Sequence, residues 1–376
     1  MIRAYKYRLN PTKAQERDLS QTLYLCRQLY NAALEERRTA YRKCGVTVGF
    51  YEQKRSLKEV RADLPEYKAL HSQALQNVIE RLDKAFKGFF ARVKCGDKPG
   101  FPRFQGRNRY DSFTFPQAGK TGAFAHPASG TVTLSGIGNV RCKYHRELQG
   151  TLKTATVKRE GSEWYVIFTA EVESQPLPAT GNEIGIDLGL QHLIVTSDGE
   201  FVDAPRFYRA AQKKLRRAQR SLNRKKRGTK RREKARARVA KLHRKVKRQR
   251  ADFLHKLSRR LVNENDVIAH EALSIQGLAR TRLSKSVHDA AWGQLIGYIT
   301  YKAESAGRVV VSVDPRYTSQ DCSVCGHREK HPLWVREFVC ANCQTAHNRD
   351  HNAAVNIKGR ACPSGANAAV VNAYVA

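Results

Sequence analysis

Residues 183–189 read EIGIDLG, an apolar run opened by Glu183 in which Ile184 and Ile186 precede the carboxylate of Asp187. The pattern predicts a strand that ends on that acid. Two more strand signals follow, HLIVTS and EFVDA, with a turn at Asp198-Gly199 between them. Further on, DVIAHE predicts a strand running out at Glu271, SVHDAAWGQLIGYITYKAESAG a helix, and RVVVSVDP a strand, while Asp350 opens a final helix through Ile357.

A lone carboxylate beside a buried element is costly unless something balances its charge. Asp187, Glu271 and Asp350 each stand in that position. An RNase H-like sheet would deliver all three to one edge. There two Mg²⁺ ions about 3.5 to 4 Å apart would activate water and stabilise the leaving oxygen of a phosphodiester.

The composition points the same way. The chain has 376 residues, with 69 Lys and Arg against 34 Asp and Glu, a net charge of +35. Such a field attracts polyanions and excludes most small-metabolite enzymes, so a nucleic acid is the expected partner and an anionic membrane the weaker one. No run of about 18 apolar residues occurs and the start lacks a secretory core, so a soluble, cytoplasmic protein is expected.

The charge is concentrated. Arg206 to Arg260 holds 26 Lys and Arg against two acids, Glu233 and Asp252. Leu215, Leu222, Val239, Leu242, Val246, Phe253, Leu257 and Leu261 recur there at helical spacing, with a break at Gly228-Thr229. This predicts a basic helical hairpin with one apolar seam rather than a solvated arm. Its turn, Arg224, Lys225, Lys226 and Arg227, is a candidate for phosphate contacts.

Upstream, residues 2–9 predict a strand, and Asn10 as N-cap with Pro11 at the first helical position opens a helix. Leu19, Leu23, Cys26, Tyr30 and Ala33, then Leu75, Ile79, Leu82, Phe86, Phe89 and Phe90, make residues 11–95 helical, with Gly45 a stop. TVTLSG, NVRCKY, LKTATVKR and EWYVIFTAEV then predict four strands of a small barrel or sandwich, the last two joined at Glu160-Gly161. Residues 2–9 would supply its first strand, making the helical segment an insertion.

Four of nine cysteines cluster as Cys322-x2-Cys325 and Cys340-x2-Cys343, fourteen residues apart, the spacing of a closed zinc ribbon. Four thiolates fill the shell, so this metal would have a folding role. Gly119-Lys120-Thr121 imitates a phosphate-binding loop, but Thr114 stands where its first glycine belongs, and no nucleoside triphosphatase is implied.

Taken together, GIDLG at 185–189, Glu271, YTSQDCSVCG at 317–326 and NRDHNAAVNI at 348–357 resemble the TnpB proteins of insertion sequences, relatives of the type V CRISPR nucleases. NPTKAQ, ALQNVIERLDKAFKGFF and PGFPRF fit as well. The resemblance implies an α/β multidomain protein: a wedge-type β-barrel (1–10 and 96–180) interrupted by a helical recognition domain (11–95), then an RNase H-like (RuvC) nuclease domain (181–318 and 346–358). That domain would contain the basic hairpin (205–262) and an inserted zinc ribbon (319–345), with 359–376 as a C-terminal tail. It further implies catalytic Asp187, Glu271 and Asp350 holding Mg²⁺, zinc on the four cysteines, and support from Arg349 and Asn352. Tyr51, Gln73 and Gln76 would read a short duplex motif, and Arg349 would contact nucleic acid. The partners would be a guide RNA from the transposon end and target double-stranded DNA, cut by an Mg-dependent endonuclease. Two readings stay open beside it: a regulator that binds DNA, guided or not, with vestigial acids, and an accessory transposase.

Overall fold

The first strand, β1 (Ile2–Asn10), buries Tyr5, Tyr7 and Leu9 on one face, the period of two that a half-buried strand requires. In the computed structural model, which describes residues 1–362 apart from 108 and 333, the chain divides after Glu173 into two units.

In the first unit β1 is followed by four helices, α1 (Lys13–Cys44), α2 (Phe50–Asp63), α3 (Pro65–Lys68) and α4 (Ser72–Lys94). Asn10 does not cap α1: it pairs with Arg141 in the sheet, and that extended backbone pushes the helix start onward. Thr12 caps instead, its hydroxyl accepting from Gln15 N while the Gln15 side chain accepts from Thr12 N, which satisfies two of the donors a helix start leaves over. Gly45, at φ 66°, ends α1 in the left-handed conformation a residue without Cβ adopts readily. The helical stretch expected over 11–95 is thus broken at Gly45–Gly49, Leu64 and Ala69–His71.

Six strands follow: β2 (Ser112–Phe115), β3 (Ala123–His126), β4 (Thr131–Leu134), β5 (Gly138–Lys143), β6 (Thr151–Glu160) and β7 (Glu163–Glu171). With β1 they form one antiparallel sheet in the order β2-β6-β7-β1-β5-β4-β3. β1 lies between β5 and β7, so the helices are inserted after the sheet's first strand. β2 and β3, four residues each, escaped the sequence reading. Tyr7, Phe113, Phe115, Trp164 and Phe168 are the largest fully buried side chains of this core, which also takes in Leu19, Leu34, Leu75 and Leu82 from the helices.

The second unit carries β8 (Glu183–Asp187), β9 (His192–Thr196), β10 (Phe201–Asp203), the helices α5 (Phe207–Asn223) and α6 (Lys230–Glu264), and β11 (Val267–Glu271). Then come α7 (Ile275–Leu278), α8 (Ser284–Ala290), α9 (Trp292–Ala306), β12 (Val309–Val313), β13 (Glu337–Val339), β14 (Ala346–Asn348) and α10 (Arg349–Ala361). The helix expected over 286–307 is two, because Ala291 at φ 57° breaks the path between α8 and α9. The last helix continues past Ile357 to Ala361, and 363–376, most of the expected tail, lie outside the described residues.

A mixed sheet runs β10-β9-β8-β11-β12, with β8, β11 and β12 parallel and β9 and β10 antiparallel. Its core joins Ile186, Ile194 and Ile268 to Leu254, Leu261, Leu295 and Ile299 of α6 and α9. α5 and α6 form the basic hairpin, with Leu215, Val239, Val246, Leu257 and Leu261 buried, Gly228 at φ 83° in the turn and Thr229 capping α6. α5 has no side-chain cap of its own; the buried carboxylate of Asp289 accepts from Tyr208 N and Arg209 N and pairs with Arg250 of α6. Among the described residues no helix is long and apolar enough to cross a membrane.

Candidate active site and metal centre

β8 and β11 run parallel with Ile186 level with His270, so the next residues, Asp187 and Glu271, leave the sheet side by side at its carboxyl edge. Asp350 arrives from α10. Asn348 caps that helix, accepting from Asp350 N and His351 N, which fixes the acid in the first turn. Gly185 lets α10 lie close against β8: a Cβ there would collide with the Ala354 carbonyl and the Lys358 amide. Ala353, Ala354 and Ile357 are the buried face of α10. All three acids line one cleft of about 290 Å³, together with Thr318, Ser319, Arg336 and Arg349.

Crowding shows in the electrostatics. Burial, with the nearby charges of Glu271 and Asp350, pushes the Asp187 carboxyl up to about 8, against the pull of Arg349. Burial also raises Glu271, opposed by a hydrogen bond donated by the Thr318 hydroxyl and by the charge of Arg360. Arg336 Nη1 donates to both oxygens of Asp350, at 2.9 and 3.1 Å. Without a cation the crowding is eased by the raised Asp187 carboxyl and by the pairing of Arg336 with Asp350, and the oxygen donors of these acids are of the kind that could hold a hard divalent cation.

The remaining residues of 348–357 have separate tasks. His351 Nε2 lies 3.1 Å from the Ser197 carbonyl on the β9–β10 side. Asn352, buried, accepts from Ser323 N and donates to Asp321 O; Asn356 donates to Thr318 O and Asp321 O. Asn352 therefore fastens the residues on either side of Cys322 to α10, whereas Arg349 is the neighbour whose charge reaches Asp187. Arg336 and Thr318 were missed in the sequence. Thr318 stands in YTSQDC and could have been suspected, but no spacing flags Arg336.

The four cysteines converge. Sγ of Cys322, Cys325, Cys340 and Cys343 all lie within 4.8 Å of one another, with 3.6 Å between Cys322 and Cys343 and between Cys325 and Cys340. Thiolates about 2.3 Å from a tetrahedral zinc stand about 3.8 Å apart, so the donor set fits that ion. Hydrogen bonds from Thr345 bring the Cys343 thiol down to about 6, while burial pushes Cys322 up to about 11. His347 Nε2 lies 3.1 Å from Cys322 Sγ, outside the set of four sulfurs. β13 and β14 pair beside the cluster, a two-stranded element too short to read from sequence.

The nucleic-acid candidates fall into separate places. Tyr51 lies exposed in the first turn of α2. Gln73 and Gln76 stand one turn apart on α4, but Gln73 is engaged at both ends, donating to Gln117 and accepting from Thr121. Arg224, Lys226 and Arg227 are exposed in the α5–α6 turn; Lys225 is partly covered, and its carbonyl accepts from Arg232. Arg349 alone of these joins the acids.

The second unit is thus an α/β domain, a five-stranded mixed sheet with three acids in one cleft and a cluster of four cysteines that could hold a metal ion. Residues 166–282 match the family described as "Probable transposase", 292–357 the "Cas12f1-like, TNB domain", and 1–45 a "Helix-turn-helix domain". Residues 1–45 fold here as β1 and the single helix α1. A protein of Streptomyces pristinaespiralis named "Putative RNA-guided DNA endonuclease" is 35% identical over 94% of this chain and 88% of its own. InsQ of Escherichia coli (strain K12), given the same description, is 28% identical over 95% of this chain and 91% of its own. The chain belongs to the TnpB family. Its fold is also that of the protein in a cryo-EM structure of a Cas12f1–sgRNA–target DNA complex, with a TM-score of 0.61 at 14% identity over 95% of this chain and 98% of that one.

Proposed function

We propose that this chain is a transposon-associated, RNA-guided DNA endonuclease: it binds a guide RNA from the transposon end and cleaves complementary double-stranded DNA beside a short duplex motif. The convergence of Asp187, Glu271 and Asp350 on one cleft carries the reading, since such crowding is costly in a protein that never binds a cation there. In this reading 181–318 and 346–358 form a RuvC-like domain, 319–345 a zinc ribbon, and residues 1–180 the guide- and motif-binding part.

Asp187, Glu271 and Asp350 would hold two Mg²⁺ ions. When bound, the ions supply the Lewis acidity and the activated water for phosphodiester hydrolysis. The protein's own residues prepare that chemistry. Thr318 orients Glu271 by donating to it, and Asn352 and Asn356 hold the segment that carries Thr318. Arg336 and Arg349 put positive charge where a phosphate would enter. The basic hairpin grips backbone phosphates without reading sequence, and base pairing with the guide selects the target. The four cysteines would bind zinc and fix the ribbon, from which Arg336 reaches Asp350.

Sequencing RNA that co-purifies with the protein tests the guided reading. One defined RNA from the gene's own locus is expected. Random fragments would instead mark plain adhesion of a basic protein to RNA.

A further inference from the structure

Val335 N donates to Pro332 O at 3.0 Å, and hydrogen bonds tie Pro332 and Arg336 to the residues of the cleft. Pro332 O accepts from Arg349 Nη1 at 3.5 Å, Arg336 O accepts from Arg349 N at 2.7 Å, and the Arg336 side chain holds Asp350. Between Pro332 and Arg336 in the sequence stands Trp334, 82% exposed, the most exposed large hydrophobic side chain among the described residues. An indole left in water on a segment pinned next to a catalytic cleft has no packing role.

We infer that Trp334 is a stacking platform for an unpaired nucleobase of the strand entering the cleft. Trp334 is two residues from Arg336, within about 7 Å along the backbone. A base on the indole would therefore belong to a nucleotide next to the one whose phosphate meets Arg336 and Arg349. Ring, guanidinium pair and acids then match base, phosphate and scissile bond in turn. Stacking tolerates any base, which suits an enzyme whose sequence choice is made by a guide. The inference rests on the nuclease reading and adds to it a contact that positions the strand.

The chain has three tryptophans, and Trp164 and Trp292 are 1% and 4% exposed, so quenching by added iodide isolates Trp334. In Mg²⁺-free buffer a short single-stranded oligodeoxynucleotide is expected to quench that emission and shield it from iodide, whereas polyphosphate and an abasic strand of equal length bind without doing so. Trp334→Leu should bind the normal strand about tenfold more weakly with an unchanged salt slope, and the abasic strand as before, while Trp334→Phe recovers most of the loss. Equal quenching by polyphosphate, identical affinities in Trp334→Leu, or quenching on concentrating the protein alone would each overturn the inference. Asp187→Ala should keep the quench while losing cleavage, so failure of the nuclease reading and failure of the platform give different results.

Discussion

Arg336 and Asp350, fourteen residues apart on either side of the last two cysteines, form a charged pair at the mouth of the cleft, with one guanidinium nitrogen shared between both carboxylate oxygens. In the proposed reading a cation held by Asp350 would compete with this pair for the same two oxygens. Arg336→Ala is expected to lower the Mg²⁺ concentration needed for half-maximal cleavage and, having lost charge facing the phosphate, to lower the maximal rate by about 10². Mg²⁺ titrations of cleavage would show both changes; a lost rate with an unchanged Mg²⁺ requirement would argue against the competition.

Asp187 offers a pH test. Its folded carboxyl titrates near 8, above the 3.8 of an ordinary aspartate, so the folded protein binds more protons than the unfolded chain between those values. Its contribution is present in full at low pH and disappears as pH rises through about 8. In Mg²⁺-free buffer Asp187→Asn should melt above the wild type at pH 8, with the gap narrowing toward pH 5.5 by at most about 1.4 kcal/mol per pH unit. Thermal melts across that range check it. A constant gap would mean that Asp187 is not held protonated.

The cysteine cluster supports the acids indirectly. Asn352 and Asn356 tie Thr318, Asp321 and Ser323 to α10, and Thr318 orients Glu271. If the cluster holds zinc as proposed, Cys340→Ser should lose it, loosen residues 318–323 and reduce cleavage, although no cysteine lines the cleft of the acids. Metal content and hydrogen exchange measure this together. Mild chelation that removes Mg²⁺ alone should leave exchange in that segment slow.

For the hairpin, neutralising Arg224, Lys226 and Arg227 should weaken binding about equally for all sequences and reduce the salt slope by about one unit per lost phosphate contact. Affinity measured at several salt concentrations decides it. A slope that stays put would remove the turn from the interface.

What could be read in the sequence followed local pattern. EIGIDLG, DVIAHE and the helix after Asn348 announce their acids because each acid ends or begins an apolar element, and two Cys-x2-Cys pairs announce themselves by spacing. What escaped depends on contacts between distant segments. Arg336 reaches Asp350 only because the segment between the cysteine pairs folds back over α10, and Asp289 caps α5 from eighty residues away. Asn10 looked like a cap in isolation, yet its place opposite Arg141 in the sheet overrides that preference. Ala291, an ordinary helix former, adopts φ 57° between α8 and α9 against its own propensity. β2 and β3 are no shorter than β4, but SFTF and AFAH lack the run of β-branched residues that marks TVTL.

Cleavage of a DNA duplex matching the co-purified RNA, measured with Mg²⁺ for the wild type and for Asp187→Ala, Glu271→Ala and Asp350→Ala, bears on the whole account at once. The wild type should cut, and each variant should bind the same RNA and DNA while cutting at least about 10³-fold more slowly. A variant that cleaves at the wild-type rate would contradict the assignment of the three acids to a shared metal site.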